Sequence, residues 1–223
     1  MRILLFHSFA SDLRSFAPGK AVPVTIGLGL KITDYFGLEL GFDGILGLNT
    51  KTSGNSADIV TKTSGYLAQI VPSIVISSGF AKVNTYMRLG YSIGLNQSIS
   101  YMESGKNSTG FYEYRGIFEG GTPIGFMIAC GVNFKVSKFI RIFTEVIGNG
   151  INYKPKSFNV TEYNINGSDH LQDLTTKQKE ISLVNNVNPN EALPDSGMDK
   201  KLRQTFPFSN IQLSIGIQVY NLF

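Results

Sequence analysis

Five charged side chains interrupt segments that are otherwise patterned as apolar, and their types suggest two kinds of chemistry. They are Glu39, Asp43, Arg88, Arg141 and Glu145. In an extended chain neighbouring residues point to opposite faces, so each charge lies opposite its apolar neighbours. Such a set serves either as a path for protons or ions, or as a network of ion pairs that fills an interior. We favour the network, because the narrow interior that a few such segments enclose leaves too little room for a water channel.

The five charges are expected to pair with one another. An unpaired charge in a desolvated interior is unfavourable by on the order of several kcal/mol. Counted along each segment from the nearest of the short turns that are predicted below, Asp43, Arg88 and Glu145 reach similar heights. We therefore predict that Arg88 pairs with Asp43, Glu145 or both. Arg141 and Glu39 lie lower, and we predict that they pair with each other.

Little else in the sequence suggests catalysis or metal binding. Of the two histidines, His7 lies near the start and His170 lies in a long loop beside Ser168 and Asp169. Adjacent residues in one loop rarely provide the nucleophile, base and orienting acid of a hydrolase. The run 164–173 has oxygen ligands for calcium but is more typical of a solvated loop. We therefore predict no catalytic, cofactor or metal site, and we predict that the chain is not an enzyme.

The charges lie in segments that alternate apolar and polar residues with a period of two, which indicates β-strands. The clearest segment is 82–96, where residues from Val83 to Leu95 alternate between an apolar and a polar face. Seven such strands are predicted, at about 21–32, 36–48, 66–77, 82–96, 120–136, 139–153 and 209–223. An eighth is placed near 2–8, because the apolar stretch there is shorter than the ~7–15 residues of a signal peptide.

The connections between these strands alternate in length. Short turns are predicted after the second, fourth and sixth strands. Loops are predicted at about 9–20, 49–65, 98–119 and 154–208. This order predicts a single all-β domain over 1–223, an eight-stranded antiparallel up-and-down β-barrel. Within the last loop, Phe158–Tyr163 and Glu180–Val187 have a β pattern, and we expect them to form a hairpin that extends the barrel wall.

Three observations place the apolar face outward, against lipid. The opposite face carries the charges and many glycines, several strands exceed the ~9–11 tilted residues that cross a bilayer, and aromatic residues gather near the short turns. These aromatic residues are Tyr35, Phe36, Phe80, Phe134, Phe139, Tyr220 and Phe223. The pattern predicts a transmembrane barrel with short periplasmic turns and long extracellular loops. The alternative is a soluble carrier of the lipocalin type, in which Ile26, Leu40, Leu89 and Ile128 would point inward.

Composition argues against several other classes of protein. The 223 residues carry a net charge of +4 and the basic residues are scattered, so we predict no nucleic-acid partner. The longest apolar runs, such as Phe126–Cys130, are far shorter than the ~20 residues of a membrane-spanning helix. The single cysteine, Cys130, rules out an internal disulfide.

Two parts of the chain resemble a known family. The segment 208–223, FSNIQLSIGIQVYNLF, looks like the last strand of bacterial outer-membrane barrels, whose terminal phenylalanine is read by the barrel-assembly machinery. Phe223 matches that signal, although Asn221 stands where the family usually has an aromatic residue. Residues 121–134 and 140–146 are similar to strands of small bacterial outer-membrane β-barrels, a family that includes the OmpA transmembrane domain, OmpX and the porin-like proteins of Bacteroidetes.

The resemblance implies a location in the bacterial outer membrane, with the lipid bilayer and the barrel-assembly machinery as partners. It implies little about activity, and we expect a structural, surface-binding or porin-like role. An extracellular ligand or protein would then bind at loops 98–119 and 154–208. The alternatives are a barrel enzyme that modifies lipid and the soluble carrier described above.

Overall fold

The structure, a computed structural model, describes residues 2–15, 22–53, 59–80, 82–107, 110–186 and 198–220. In these residues the chain forms fourteen strands. The strands are β1 (Arg2–Ser15), β2 (Val22–Lys31), β3 (Phe36–Ser53), β4 (Val60–Ser77), β5 (Val83–Asn107), β6 (Gly110–Glu119), β7 (Ile124–Lys135), β8 (Ile140–Tyr153), β9 (Ser157–Ile165), β10 (Ser168–Asp169), β11 (Glu180–Val184), β12 (Asp199–Leu202), β13 (Phe206–Pro207) and β14 (Asn210–Tyr220). A 3-10 turn (Leu171–Asp173) and the helix α1 (Thr176–Lys179) lie between β10 and β11. Neither helical segment is long and apolar enough to cross a bilayer, and the described residues contain no other helix.

Eight of the strands pair edge to edge in a complete circle. The order around the circle is β1–β2–β3–β4–β5–β7–β8–β14, and β14 pairs again with β1. Each of these pairs is antiparallel, as an up-and-down barrel requires. The eight-stranded antiparallel barrel predicted from the sequence is therefore confirmed. We call these eight strands the ring.

The ring has an apolar outer surface and a largely polar inner one. Four residues that the soluble-carrier alternative placed inside are instead exposed on the outer surface. Their exposed fractions are 48% for Ile26, 38% for Leu40, 44% for Leu89 and 50% for Ile128. Inward positions hold Arg88 and Glu145, which are only 6% and 3% exposed. The soluble-carrier alternative is therefore wrong, because a carrier of that type puts its apolar side chains around the interior.

Hydroxyl side chains fix two of the short turns. Between β2 and β3, Thr33 Oγ1 accepts hydrogen bonds from the amides of Tyr35 and Phe36. Between β7 and β8, Ser137 Oγ accepts from the amides of Phe139 and Ile140 in the same way. Such side chains replace backbone partners in tight turns, which is why these short polar breaks reverse the chain where the sequence predicts.

Three predicted loops are shorter in the structure than the sequence suggests. The strand placed near 2–8 continues to Ser15, and the loops expected at 49–65 and 98–119 consist largely of strand. Here β3 pairs with β4 out to Ser53 and Val60, and β5 pairs with β6 out to Asn107. Ladder hydrogen bonds need no apolar face, so the polar Thr- and Ser-rich ends of β3 and β4 form strands without an apolar alternation to reveal them.

The sheet branches where β5 changes partner. β5 pairs with β7 from Val83 to Ile93, and with β6 from Ile99 onward. Between β6 and β7 the chain turns through Gly120 and Gly121, whose φ angles of +69° and +76° favour glycine. This turn connects β6, which lies outside the ring, to β7, which is one of the eight strands of the ring.

Beyond the ring, β6 pairs with β9, β9 with β11, and β11 with β12. We call these four strands, with Ile99–Asn107 of β5, the extension. The hairpin expected from Phe158–Tyr163 and Glu180–Val187 is confirmed in part: β9 and β11 pair antiparallel over Ser157–Asn159, while Val187 lies outside the described residues. The predicted loop 154–208 is thus partly sheet.

An apolar cluster joins the ring to the extension, and we call it the cap. Its members are Ile45, Leu67, Ile99, Phe118, Ile151, Tyr153, Phe158, Val160, Ile181, Leu183 and Phe208. Ile45, Leu67 and Ile151 come from the loop end of the ring, and they are at most 3% exposed. Phe118 and Phe158 of the extension lie over them with ring centroids 4.6 Å apart. The cap therefore fills the loop end of the barrel interior.

Candidate functional site

The most concentrated polar site of the described residues lies inside the ring, around Arg88 of β5. Its Nη1 lies 3.3 Å from Glu39 Oε2 of β3, and its Nη2 lies 2.5 Å from Glu145 Oε1 of β8. Tyr86 donates its hydroxyl to Glu145 Oε2 at 2.9 Å. A guanidinium can bind two carboxylates at once because its donors are spread over a planar fork. Arg88 thus bridges two acids that come from opposite parts of the ring.

A glycine opposite this network provides the space that it needs. A Cβ atom at Gly131 of β7 would lie 2.6 Å from Tyr86 Cζ and 2.8 Å from Glu145 Cβ. Both distances are shorter than packed atoms allow, so a larger residue would displace the tyrosine or the acid. Sequence reasoning missed Tyr86 and Gly131. The sequence indicated only that Tyr86 and Gly131, like Arg88, lie on the inward, polar face of their strands.

The other two predicted residues lie apart from Arg88's ion pairs. Asp43 Oδ2 accepts a hydrogen bond from Gln69 Nε2 at 3.3 Å. Arg141 Nη1 donates to Asn133 Oδ1 at 2.7 Å. The pairing expected between Arg141 and Glu39 is not what the structure shows, because Glu39 is bound by Arg88. Alternation places a charge inside, but the stagger of the strands decides which charge it meets.

Above Arg88 the interior becomes a mixed layer of polar and apolar side chains. Val71, Met127, Ala129 and Ile147 form a small apolar cluster there. Five buried polar atoms on the inner wall, Gln69 Oε1, Ser92 Oγ, Asn149 Oδ1, Gln212 Oε1 and Ser214 Oγ, have no hydrogen-bond partner among the described residues. Buried polar atoms in native proteins bond to protein or to ordered water. We therefore expect ordered water in this layer.

Below Arg88 a cavity of about 360 Å³ lies at the short-turn end. Glu39 and Tyr86 line it, together with the basic side chains of Lys135, Lys138 and Arg141. From this end toward the loops, the interior consists of the cavity, the Arg88 network, the mixed layer and the cap. Among the side chains that the structure describes, this layering is a packed interior held by the two ion pairs of Arg88, and these side chains leave little space for an aqueous path.

The loop residues weighed for catalysis are arranged differently from a triad. His170 Nδ1 lies 2.7 Å from Asp173 Oδ2 on the surface, while Asp169 Oδ1 accepts the amide of Leu171. Ser168 belongs to β10, which pairs with β9. Among the described residues no group of three potential histidine, cysteine or carboxylate ligands comes together to hold a metal. The predicted assembly signal Phe223 lies outside the described residues.

Comparison with known proteins gives only distant likenesses. No protein-family model matches the chain, and no curated protein matches it. The structure of Neisserial surface protein A (NspA) aligns with a TM-score of 0.45 and 13% identity, over 98% of this chain and 94% of that one. Acinetobacter baumannii CarO2 aligns with a TM-score of 0.41 and 14% identity, over 98% and 99% of the two chains. Acinetobacter baumannii CarO aligns with a TM-score of 0.36 and 11% identity, over 96% and 97%. At these scores the assignment of fold depends on the strand pairing itself.

Proposed function

We propose that the protein is a bacterial outer-membrane β-barrel that holds the extension at the cell surface, where it has a structural or surface-binding role. The observation that carries this proposal is that polar and apolar side chains are arranged in the opposite way to those of a soluble barrel, whose apolar side chains point inward. Apolar side chains cover the outside of the ring, while Glu39, Arg88 and Glu145 are buried within it. Water does not favour such an outer surface, whereas hydrocarbon does.

The dimensions of the ring agree with this location. Strand β7 has 12 residues, and its outward side chains run from Ile124 to Phe134. About 9–11 tilted residues cross the hydrocarbon of a bilayer. Tyr35, Phe80 and Phe139 are exposed at the short-turn end, where an aromatic girdle meets the lipid headgroups. A closed ring also leaves no unpaired strand edge in lipid.

Several partners follow from this proposal. The lipid bilayer surrounds the ring, and the barrel-assembly machinery inserts it, as the resemblance of the last strand implies. A ligand or protein outside the cell would meet the extension, which includes most of the predicted loop region 98–119 and the strands β9, β11 and β12 of the region 154–208. We propose no catalytic role, since Glu39, Arg88 and Glu145 pair with one another inside the ring.

The layered interior favours a closed barrel over the porin-like alternative. Eight strands enclose a space that side chains can fill. Here the Arg88 network fills one level and the cap fills another. We therefore propose that the protein conducts ions poorly and acts through its surface.

The folded protein is expected to migrate faster than its boiled form on a gel of membrane fractions, because a barrel kept folded in detergent stays compact. In planar bilayers the same folded preparation is expected to give no steady single-channel conductance above that of the lipid alone. A protein found in the soluble fraction, with no shift on boiling, would contradict the membrane location. Regular conductance steps from the shifted band would contradict the closed interior but leave the location intact.

A further inference from the structure

One face of the extension gathers tyrosines around a single carboxylate. Glu103 of β5 accepts a hydrogen bond from Tyr101 at 2.6 Å and another from Tyr112 at 2.8 Å. Tyr114 lies directly opposite Glu103 on β6, and Tyr163 lies directly opposite Tyr114 on β9. All five side chains are partly exposed. We call them the tyrosine face.

The carboxylate of this face is Glu103, whose charge the described part of the chain leaves without an ion pair. Among the described residues, no lysine, arginine or histidine pairs with Glu103. Two basic residues, Arg115 of β6 and Lys62 of β4, both lie opposite Met102, one position from Glu103, and so belong to the other side of the sheet. Arg115 pairs there with Glu113 and Glu162. A partly buried carboxylate therefore lies among tyrosine hydroxyl groups.

The two phenols that contact Glu103 remain neutral donors. Burial and then the hydrogen bond to Glu103 raise the pKa of Tyr101 to about 12. The hydrogen bond to Glu103 is the main cause that raises the pKa of Tyr112. Both hydroxyls keep their protons at neutral pH, so neither adds a competing charge, and both hold the carboxylate in place.

The aromatic faces of the tyrosine side chains also favour a positively charged ligand. The rings of Tyr114 and Tyr163 meet edge to face with centroids 6.4 Å apart, and Tyr101 meets Phe158 at 6.1 Å in the same manner. The face of an aromatic ring is negative and attracts a cation within about 6 Å of its centroid. Each carboxylate oxygen has two lone pairs, so Glu103 can accept further donors beside the two phenols.

We propose that the tyrosine face binds an organic cation that carries an ammonium group. The carboxylate would neutralise the charge, and the tyrosine rings would cover its carbon substituents. The proposal deepens the surface-binding role and rests on the extension lying outside the bilayer. Binding to purified protein in detergent does not depend on where the protein resides, so a failure here is distinguishable from a failure of the membrane location.

The test is calorimetric titration of the folded, detergent-solubilised full-length chain with tetramethylammonium and, separately, with spermidine. Sodium chloride at equal ionic strength and a neutral sugar serve as the comparison titrants. We expect saturable binding of both amines, and we expect Glu103→Gln to weaken it by about tenfold or more, which corresponds to ~1.4 kcal/mol. Glu113→Gln is the matched control, because it removes a carboxylate from the other side of the same sheet, and its affinity is expected to equal that of the wild type.

The folded state of each variant is read from its shift on boiling. If Glu103→Gln does not fold, Tyr114→Leu takes its place. This variant is expected to weaken the binding of tetramethylammonium more than that of spermidine, since the quaternary ion depends on contacts with aromatic faces. Three results would overturn the proposal. The first is the absence of saturable amine binding. The second is an equal loss of amine affinity in Glu103→Gln and Glu113→Gln. The third is binding of the neutral sugar with an affinity that Glu103→Gln does not change.

Discussion

Replacing Arg88 with methionine is expected to lower the free energy of unfolding by about 3–5 kcal/mol. The change removes the only cation paired with Glu39 or Glu145 among the described residues, and it leaves two carboxylates buried inside the ring. A buried charge without its partner loses hydration and gains nothing in return. The measurement is reversible urea unfolding of the protein folded into lipid vesicles, with wild type and variant compared under the same conditions.

The matched control is Arg115→Met in the extension, which removes an arginine that also bridges two acids but lies 44% exposed. Exposed ion pairs contribute about 0–1 kcal/mol to stability, so the free energy of unfolding of this variant is expected to be close to that of the wild type. Neutralising both acids as well, in Glu39→Gln/Arg88→Met/Glu145→Gln, is expected to recover much of the loss. Equal stability of Arg88→Met and wild type would mean that the acids are not held as a buried ionic network.

A second large effect is expected on the outer wall, where Leu89→Arg should destabilise the folded protein by about 2–4 kcal/mol in lipid vesicles. Leu89 is 44% exposed and lies midway along the part of β5 that pairs with β7. On a soluble protein an exposed leucine tolerates arginine, because water solvates the new charge. In hydrocarbon the charge has no such solvent, and unfolding by urea is again the measurement.

Phe111→Arg is the control for this variant, because Phe111 is 53% exposed in the extension rather than on the ring. Its effect is expected to stay within about 0.5 kcal/mol of the wild type, as for other exposed positions. Should Leu89→Arg prove as harmless as Phe111→Arg, the outer wall of the ring would have to face water.

The ring could be predicted from the sequence because period-two alternation encodes both the strand and its two faces. Residues 82–96 show this most clearly, and β5 pairs with β7 over Val83–Ile93. The extension could not be predicted in the same way. Its strands in 98–119 have short apolar faces that Glu103, Gly105 and Gly116 interrupt, and β6 pairs with β9, more than forty residues later in the chain for some pairs.

The interior was predictable only in part. Alternation places Glu39, Arg88 and Glu145 inside, and their burial follows directly. Which acid Arg88 meets depends on the relative stagger of strands that are not neighbours, and the sequence pattern contains no such information. Tyr86 and Gly131 belong to the network through size and shape rather than through charge. A search for charged residues alone therefore overlooks them.

The most direct test of a lipid-facing outer wall uses the single cysteine of the protein. Cys130 is exposed on the outward face of β7, where it pairs with Met87 on one side and Val146 on the other. A fluorophore attached there, in protein reconstituted into vesicles, is expected to be quenched strongly by lipids brominated along their acyl chains and weakly by iodide in the water. The control carries Cys130→Ala with Lys106→Cys in the extension and is expected to show the opposite pattern. If iodide quenches the label on Cys130 and brominated lipid does not, the apolar side of the ring faces water and the account is wrong.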